Sequence, residues 1–429
     1  MVNFKRVFNR LGSFLNTRMK IGVLFGCILF LTGCFLREAP TSLIQEPTIP
    51  EEQQRMITQI KKGLPEGVEL LTANKDPYPK TYYSFDLNGD KRNEVLVFYR
   101  VNKPDEPSIN MAIFENSLER RWVMKEKITF KGTDLDYVEV KQLKPSNSGQ
   151  NIPQLIIGTK KAGLGSLYIF KSVDGVLKNI VINQSYDHFL VDDLNRDNVL
   201  ELHVVEGQKL KMYQLNDQNQ LVVLSEVFLD PNVIYEKMTI GQVVKGVKAI
   251  FLDVKDSEKR FYTQVVTLTD QQLVKRIPES HKKNTYKDRL ITSKDIDNDG
   301  IIEIASTKPF KSEQEGLEGH YYETYMKLTP EYSSFEEVDR RYLNLNKGFY
   351  IIINDEWVGE LKITEKSNFV VIENQEGWKT SIEWRSNKLE GAQLPGTLIG
   401  ESEEWRFYIQ KDAGVPDLME SFHLMSEDI

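Results

Sequence analysis

A chain of 429 residues, 28% of them charged, with a formal net charge of −8, is long enough to bury two separate cores. Its acidic balance, with lysines and arginines dispersed rather than clustered among aromatics, argues against a nucleic-acid partner and for cations or basic partners. Two cysteines provide no disulfide framework, so the fold must rest on its apolar core or on metal.

The first segment carries Lys5, Arg6, Arg10, Arg18 and Lys20 without an acid, followed by an apolar run of 13 residues from Ile21 to Gly33. This is signal-peptide anatomy: the run suits an h-region and falls short of the roughly 20 residues of a spanning helix. It ends in Leu31, Thr32, Gly33 and Cys34, which resembles the lipobox of bacterial lipoprotein precursors. The resemblance implies cleavage after residue 33 and lipidation of Cys34. The membrane is then a partner through the N-terminal lipid, and the chain is held at the extracytoplasmic face of the cell membrane. Cleavage removes Cys27 and five positive charges, taking the formal net charge from −8 to −13. Translation from Met19 instead of Met1 also leaves a complete signal of this kind.

Residues 34–50 are proline-punctuated and lack periodicity, as a tether does. Residues 51–64 read as a short amphipathic helix with Met56, Ile57, Ile60 and Leu64 on one side. Beyond it, strand-like alternation dominates.

An acidic motif recurs three times in one register. Asp86, Asn88, Asp90 and Glu94 precede VLVFYR; Asp193, Asn195, Asp197 and Glu201 precede LHVV; Asp295, Asp297, Asp299 and Glu303 precede IAST. The spacings, 107 and 102 residues, are about twice a unit of ~50 residues. The midpoints carry strand, turn, strand patterns without the acids, YVEVKQL with QLIIG and MTIGQVV with VKAIFLDV. Each unit continues with two more alternating segments, and four short strands per unit is the composition of a propeller blade.

The unit resembles the FG-GAP or VCBS repeat of calcium-binding β-propellers, from about Pro77 to Thr329. The resemblance implies a mainly β fold, a propeller of about five to seven blades over residues 65–340. A small α+β domain is expected over residues 341–429, with strands such as GFYIIIN and KTSIEWR and a closing helix from Pro416 that aligns Leu418, Met419, Phe422 and Met425. This last part resembles, more weakly, the module that ends some propeller-type lipoproteins of Gram-positive bacteria. Its tryptophans, among them Trp384 and Trp405, are read as core residues in preference to a stacking groove.

Positions 1, 3, 5 and 9 of each loop offer side-chain oxygens, and the carbonyl at position 7, from Arg92, Val199 or Ile301, can complete a shell of the six to eight hard oxygens that calcium takes. An EF-hand is excluded, because position 12 is Val97, Val204 or Ser306 and strands flank the loops. The third loop carries four acids and Gly300 at the sharp-turn position; the others carry three acids and Asn198 or Lys91 there. Charge and turn chemistry therefore rank the third loop first for calcium, the second next and the first last.

Catalytic signatures are thin. His188, His203, His281, His320 and His423 show no metal-ligand spacing, there is no GxSxG elbow, and lipidation consumes the remaining cysteine. The expected function is a calcium-stabilised binding or scaffold module for a protein or cell-envelope polymer. The alternative is an envelope hydrolase or lyase acting on polysaccharide with carboxylates at the propeller mouth.

Overall fold

The computed structural model describes residues 50–76, 78–101, 108–117, 121–144, 152–309, 319–353, 361–373, 379–388, 396–409 and 418–425. The signal segment 1–33, Cys34 and all of the tether but Pro50 lie outside the described residues.

Helix α1 (Glu51–Gly63) opens on Glu51 and Glu52 and closes on Lys61 and Lys62, charges that complement the helix dipole at both ends. Ile60 is fully buried on its apolar side. The backbone of Gly63 lies so close to Phe114 that a Cβ there would come within 2.7 Å of the ring, which explains a glycine at the helix end.

The remainder is mainly β, and its described residues form six antiparallel sheets. Sheet I holds β1 (Val68–Leu70), β2 (Tyr82–Phe85), β3 (Glu94–Val101), β4 (Ser108–Asn116) and β5 (Trp122–Lys131). Sheet II is the meander β6 (Asp134–Lys141), β7 (Gln154–Lys161), β8 (Leu164–Val173) and β9 (Val176–Tyr186). Sheet III repeats it with β10 (His188–Asp192), β11 (Glu201–Glu206), β12 (Lys209–Leu215) and β13 (Leu221–Phe228). Sheet IV does so with β14 (Ile234–Val244), β15 (Val247–Lys255), β16 (Phe261–Thr269) and β17 (Gln272–Lys275).

Sheet V runs β18 (Ile304–Pro309), β19 (His320–Leu328), β20 (Phe335–Asn344) and β21 (Phe349–Ile352), and is joined by the last described strand, β27 (Phe422–Leu424). Sheet VI is formed between those two, in the order β22 (Lys362–Lys366), β23 (Phe369–Glu373), β24 (Lys379–Ser386), β26 (Trp405–Ile409) and β25 (Thr397–Glu401). The midpoint segments singled out by their alternation are β6 with β7 and β14 with β15.

Period-2 alternation sets how the sheets stack. In β7, Leu155 and Ile157 face Phe98 and Met111 of sheet I, while Ile156 faces Leu202 and Val204 of sheet III. In β15, Ile250 and Leu252 join the sheet III side, and Ala249 and Phe251 join Ile302 and Ile304 on the sheet V side. Sheets II to V thus each share a buried layer with the sheet before and the sheet after, a propeller-like arrangement. The free face of sheet I, with Val95, Val97, Tyr99 and Phe114, is covered by Ile60 and Leu64 at the end of α1. Among the described residues, no buried cluster joins sheets I and VI.

Two expectations for the last part are corrected. A boundary at residue 341 falls inside β20, because GFYIIIN supplies β21, a strand of sheet V, instead of opening a new unit. Pro416, the expected start of the closing helix, lies outside the described residues; among these the helix is α2 (Leu418–Ser421), after which the chain becomes β27, and Phe422 is buried against Phe349 and Phe407. Apolar residues at helical spacing cannot tell these two states apart when the run is short. Trp384 is core and Trp405 packs beside it, under the Lys347 ammonium at 3.9 Å. Among the described residues, no helix is long and apolar enough to cross a membrane.

Candidate metal loops

The three acidic motifs occupy equivalent turns: between β2 and β3 in sheet I, between β10 and β11 in sheet III, and leading into β18 in sheet V, where an isolated bridge takes the place of the preceding strand. Phe85 faces Glu94 across the first loop, Asp192 faces Glu201 across the second, and Lys294 bridges to Glu303 across the third. The backbone follows one path. Positions 4 and 6 have left-handed φ in every loop: Gly89 and Lys91, Arg196 and Asn198, Asn298 and Gly300. The sequence had flagged only position 6; at position 4 an arginine occupies a conformation that side chains disfavour.

The acids hold these turns by accepting from the backbone. The N–H of position 6 donates to the carboxylate of position 1, at 2.8 Å in the first loop and 2.9 Å in the other two. The N–H of position 7 donates 2.8 Å to position 5 in all three. Glu94, Glu201 and Glu303 are buried and each accepts from the N–H of position 2, at 2.8–2.9 Å. The glutamate at position 9 is therefore a keystone as well as a candidate ligand, a role that spacing alone did not reveal.

The loops differ in what meets their remaining charge. In the first, Arg92 forks onto Asp90 at 2.8 and 3.2 Å, and Asn88 Nδ2 donates to Glu94 Oε1 at 2.8 Å. In the third, Lys327 Nζ lies 2.8 Å from Asp297, 2.5 Å from Asp299 and 3.5 Å from Glu303. Burial opposes charge on Lys327, but the bonds to Asp297 and Asp299 outweigh it and hold its pKa well above the ordinary lysine value.

The second loop has no such partner among the described residues. Carboxylate oxygens of Asp193, Asp197 and Glu201 lie within 4.8 Å of one another. Glu201 is fully buried and its Oε1 accepts no hydrogen bond; Glu303 Oε1 in the third loop accepts none either, but has the Lys327 ammonium 3.5 Å away. Nearby cations turn elsewhere: Arg196 donates to the Gly246 carbonyl, and Lys248 to Asp192 and the Asp193 carbonyl. His203, 3.9 Å from Glu201, is buried, which depresses its pKa to about 4 and leaves it neutral. Oxygen converges in the same way on Asp295, Asp297 and Glu303 of the third loop, but not in the first.

Burial, aided by Asp197 and Asp193, raises the pKa of Glu201 from 4.5 to about 7. Between those values the folded protein binds more protons than the unfolded chain, so stability must fall as pH rises. Glu94 and Glu303 are shifted in the same direction by burial. The buried His188 and His203, both lowered to about 4, act with the opposite sign over the same range, so the Glu201 contribution is read by difference: with metal chelated, the melting temperature of the wild type minus that of Glu201→Gln is expected to fall from pH 5 to pH 8. A difference that does not change with pH would remove Glu201 as a source of pH dependence.

A cleft of about 400 Å³ opens beside β16 and β17. Three cations, Lys275, Arg276 and Lys282, and two acids, Asp230 and Glu279, line it. Asp230 is tied to Lys275, Lys282 and Tyr262 at 2.8–2.9 Å. It holds no free carboxylate pair of the kind glycoside hydrolysis needs.

No family model and no curated protein matches the chain. Among solved structures, it is similar to a protein from Lactobacillus plantarum at 15% identity, over 79% of this chain and 98% of that one, with a TM-score of 0.30. A hypothetical selenium-binding protein from Sulfolobus tokodaii is similar at 8% identity, over 47% and 54% of the two chains, with a TM-score of 0.28. At these scores the likeness adds nothing to what the sheets themselves define.

Proposed function

We propose that the protein is a membrane-anchored extracytoplasmic lipoprotein, lipidated at Cys34, whose FG-GAP/VCBS-type sheets form a calcium-stabilised binding or scaffold module for a protein or cell-envelope polymer. The observation that carries the calcium part is the second loop: three carboxylates converge there, one of them buried with an oxygen that nothing satisfies. An orphaned buried carboxylate oxygen is costly, and a hard divalent cation is the partner that chemistry suggests. Asp193, Asn195, Asp197, Glu201 and the Val199 carbonyl are the groups that would hold it. The role is structural, because the loop joins two strands of one sheet and bound metal would cancel the mutual repulsion of its acids.

Binding is preferred over the hydrolase or lyase alternative because the described acids gather in these turns, while the cleft beside β17 is lined by cations and a carboxylate already engaged. Calorimetric titration of calcium into the chelator-treated full chain, with melting followed in parallel, tests the reading. Binding with a rise in melting temperature is expected, and Asp197→Ala should abolish the event assigned to the second loop. No heat and no stabilisation would reduce the loops to ordinary turns and end the calcium proposal.

A further inference from the structure

We propose that Lys327 is the resident cation of the third acidic loop, so that this loop is closed without metal and the second loop alone is left for a divalent ion. This rests on the calcium reading above and reverses the order that acid count suggests. The sequence ranks the third loop first because it has four acids. Its fifth charged member, however, comes from the neighbouring strand.

The argument does not depend on side-chain placement alone, because strand register makes it a matter of position. Ile304 pairs with Met326, so one step on Glu303 stands opposite Lys327. In sheet III, Leu202 pairs with Tyr213, which sets Gln214 opposite Glu201. In sheet I, Val95 pairs with Phe114, which sets Glu115 opposite Glu94. The same site across from the keystone glutamate is thus cationic in the third sheet of the series, neutral in the second and anionic in the first.

Each loop resolves its charge accordingly. Glu115 pairs with Lys125 at 2.8 Å, and within the first loop Arg92 and Asn88 engage the acids. Lys327 touches three of the four acids of the third loop and brings its formal charge from −4 to −3. Its side chain is one-fifth exposed, so the ammonium sits in the concavity and not on the open surface. A metal ion entering there must displace an ammonium bonded to two carboxylates and 3.5 Å from a third. Gln214 places no charge against the second loop, whose formal −3 meets no lysine or arginine among the described residues.

The test is calcium stoichiometry of the full chain and of three variants, with melting in chelator as a second readout. The wild type is expected to bind one calcium, Lys327→Met two, and Asp197→Asn none. Lys327→Arg, which keeps a cation, should stay at one. In chelator, Lys327→Met should melt below the wild type, since four carboxylates then face one another uncompensated, and Lys327→Arg should recover most of the loss. Two calcium ions in the wild type, or one in Lys327→Met, would overturn the proposal. If no variant binds calcium, the metal reading fails on its own; Lys327 is then judged by melting, and equal melting of Lys327→Met and wild type in chelator would sink its role too.

Discussion

Replacing Lys287 by methionine is expected to cost about 3–5 kcal/mol, the penalty for leaving one partner of a buried ion pair uncompensated. Lys287 is 1% exposed, and its Nζ lies 2.6 Å from both Asp253 Oδ1 and the Ile291 carbonyl. Asp253, also 1% exposed, keeps only the Thr263 hydroxyl at 2.8 Å once the ammonium is gone. Burial lowers the lysine pKa and Asp253 opposes that shift, so the two charges depend on each other. The pair ties β15 to the segment between sheets IV and V, whose backbone bonds Phe261. Denaturant unfolding checks the loss. The double variant Lys287→Met with Asp253→Leu should recover most of it, because an apolar pair of similar size avoids the desolvation cost. A single variant as stable as the wild type would show that the pair contributes nothing net.

Phe349→Ala is expected to remove about 3–5 kcal/mol through lost burial and the cavity left behind. The ring is fully buried, with Phe407 and Phe422 at 5.3 Å and Tyr342 at 6.1 Å between ring centres. These four aromatics belong to sheet V, sheet VI and β27, so the loss falls on the contact between the last two sheets. Hydrogen exchange should show strands β22–β26 opening at lower free energy than sheets I to IV. Uniform weakening of all six sheets, or none, would contradict this division.

Much of the fold was legible because one local signal repeated. The acids of the three motifs fixed the register of sheets I, III and V, and alternation in YVEVKQL and VKAIFLDV located the strands of sheets II and IV. The turn chemistry of Gly300 and Asn198 was readable for the same reason: left-handed backbone favours those residues. What escaped depends on distance along the chain. Lys327 reaches the third loop across a hairpin, and nothing in its neighbours Met326 and Leu328 marks it. Spacing points to the Arg92 carbonyl, but not to its guanidinium, which forks onto Asp90 of the same loop. The keystone bond from Glu201 to the Leu194 N–H is a property of the closed turn and has no signature beyond spacing. The exchange of β27 into sheet V was hidden because FHL is too short to show a period.

That exchange sets an order of events during synthesis. Sheets I to IV are each complete from contiguous sequence and can close as soon as their last strand is made. Sheet V cannot be finished until residues 422–424 have been made, since Phe349 must wait for Leu424 to arrive at its side. Contacts so remote in sequence close late and slowly. An incomplete chain therefore carries an open strand edge at β21, the state in which such edges recruit other chains. For a protein of this design, residues 422–424 decide whether β21 is paired or left as an adhesive edge.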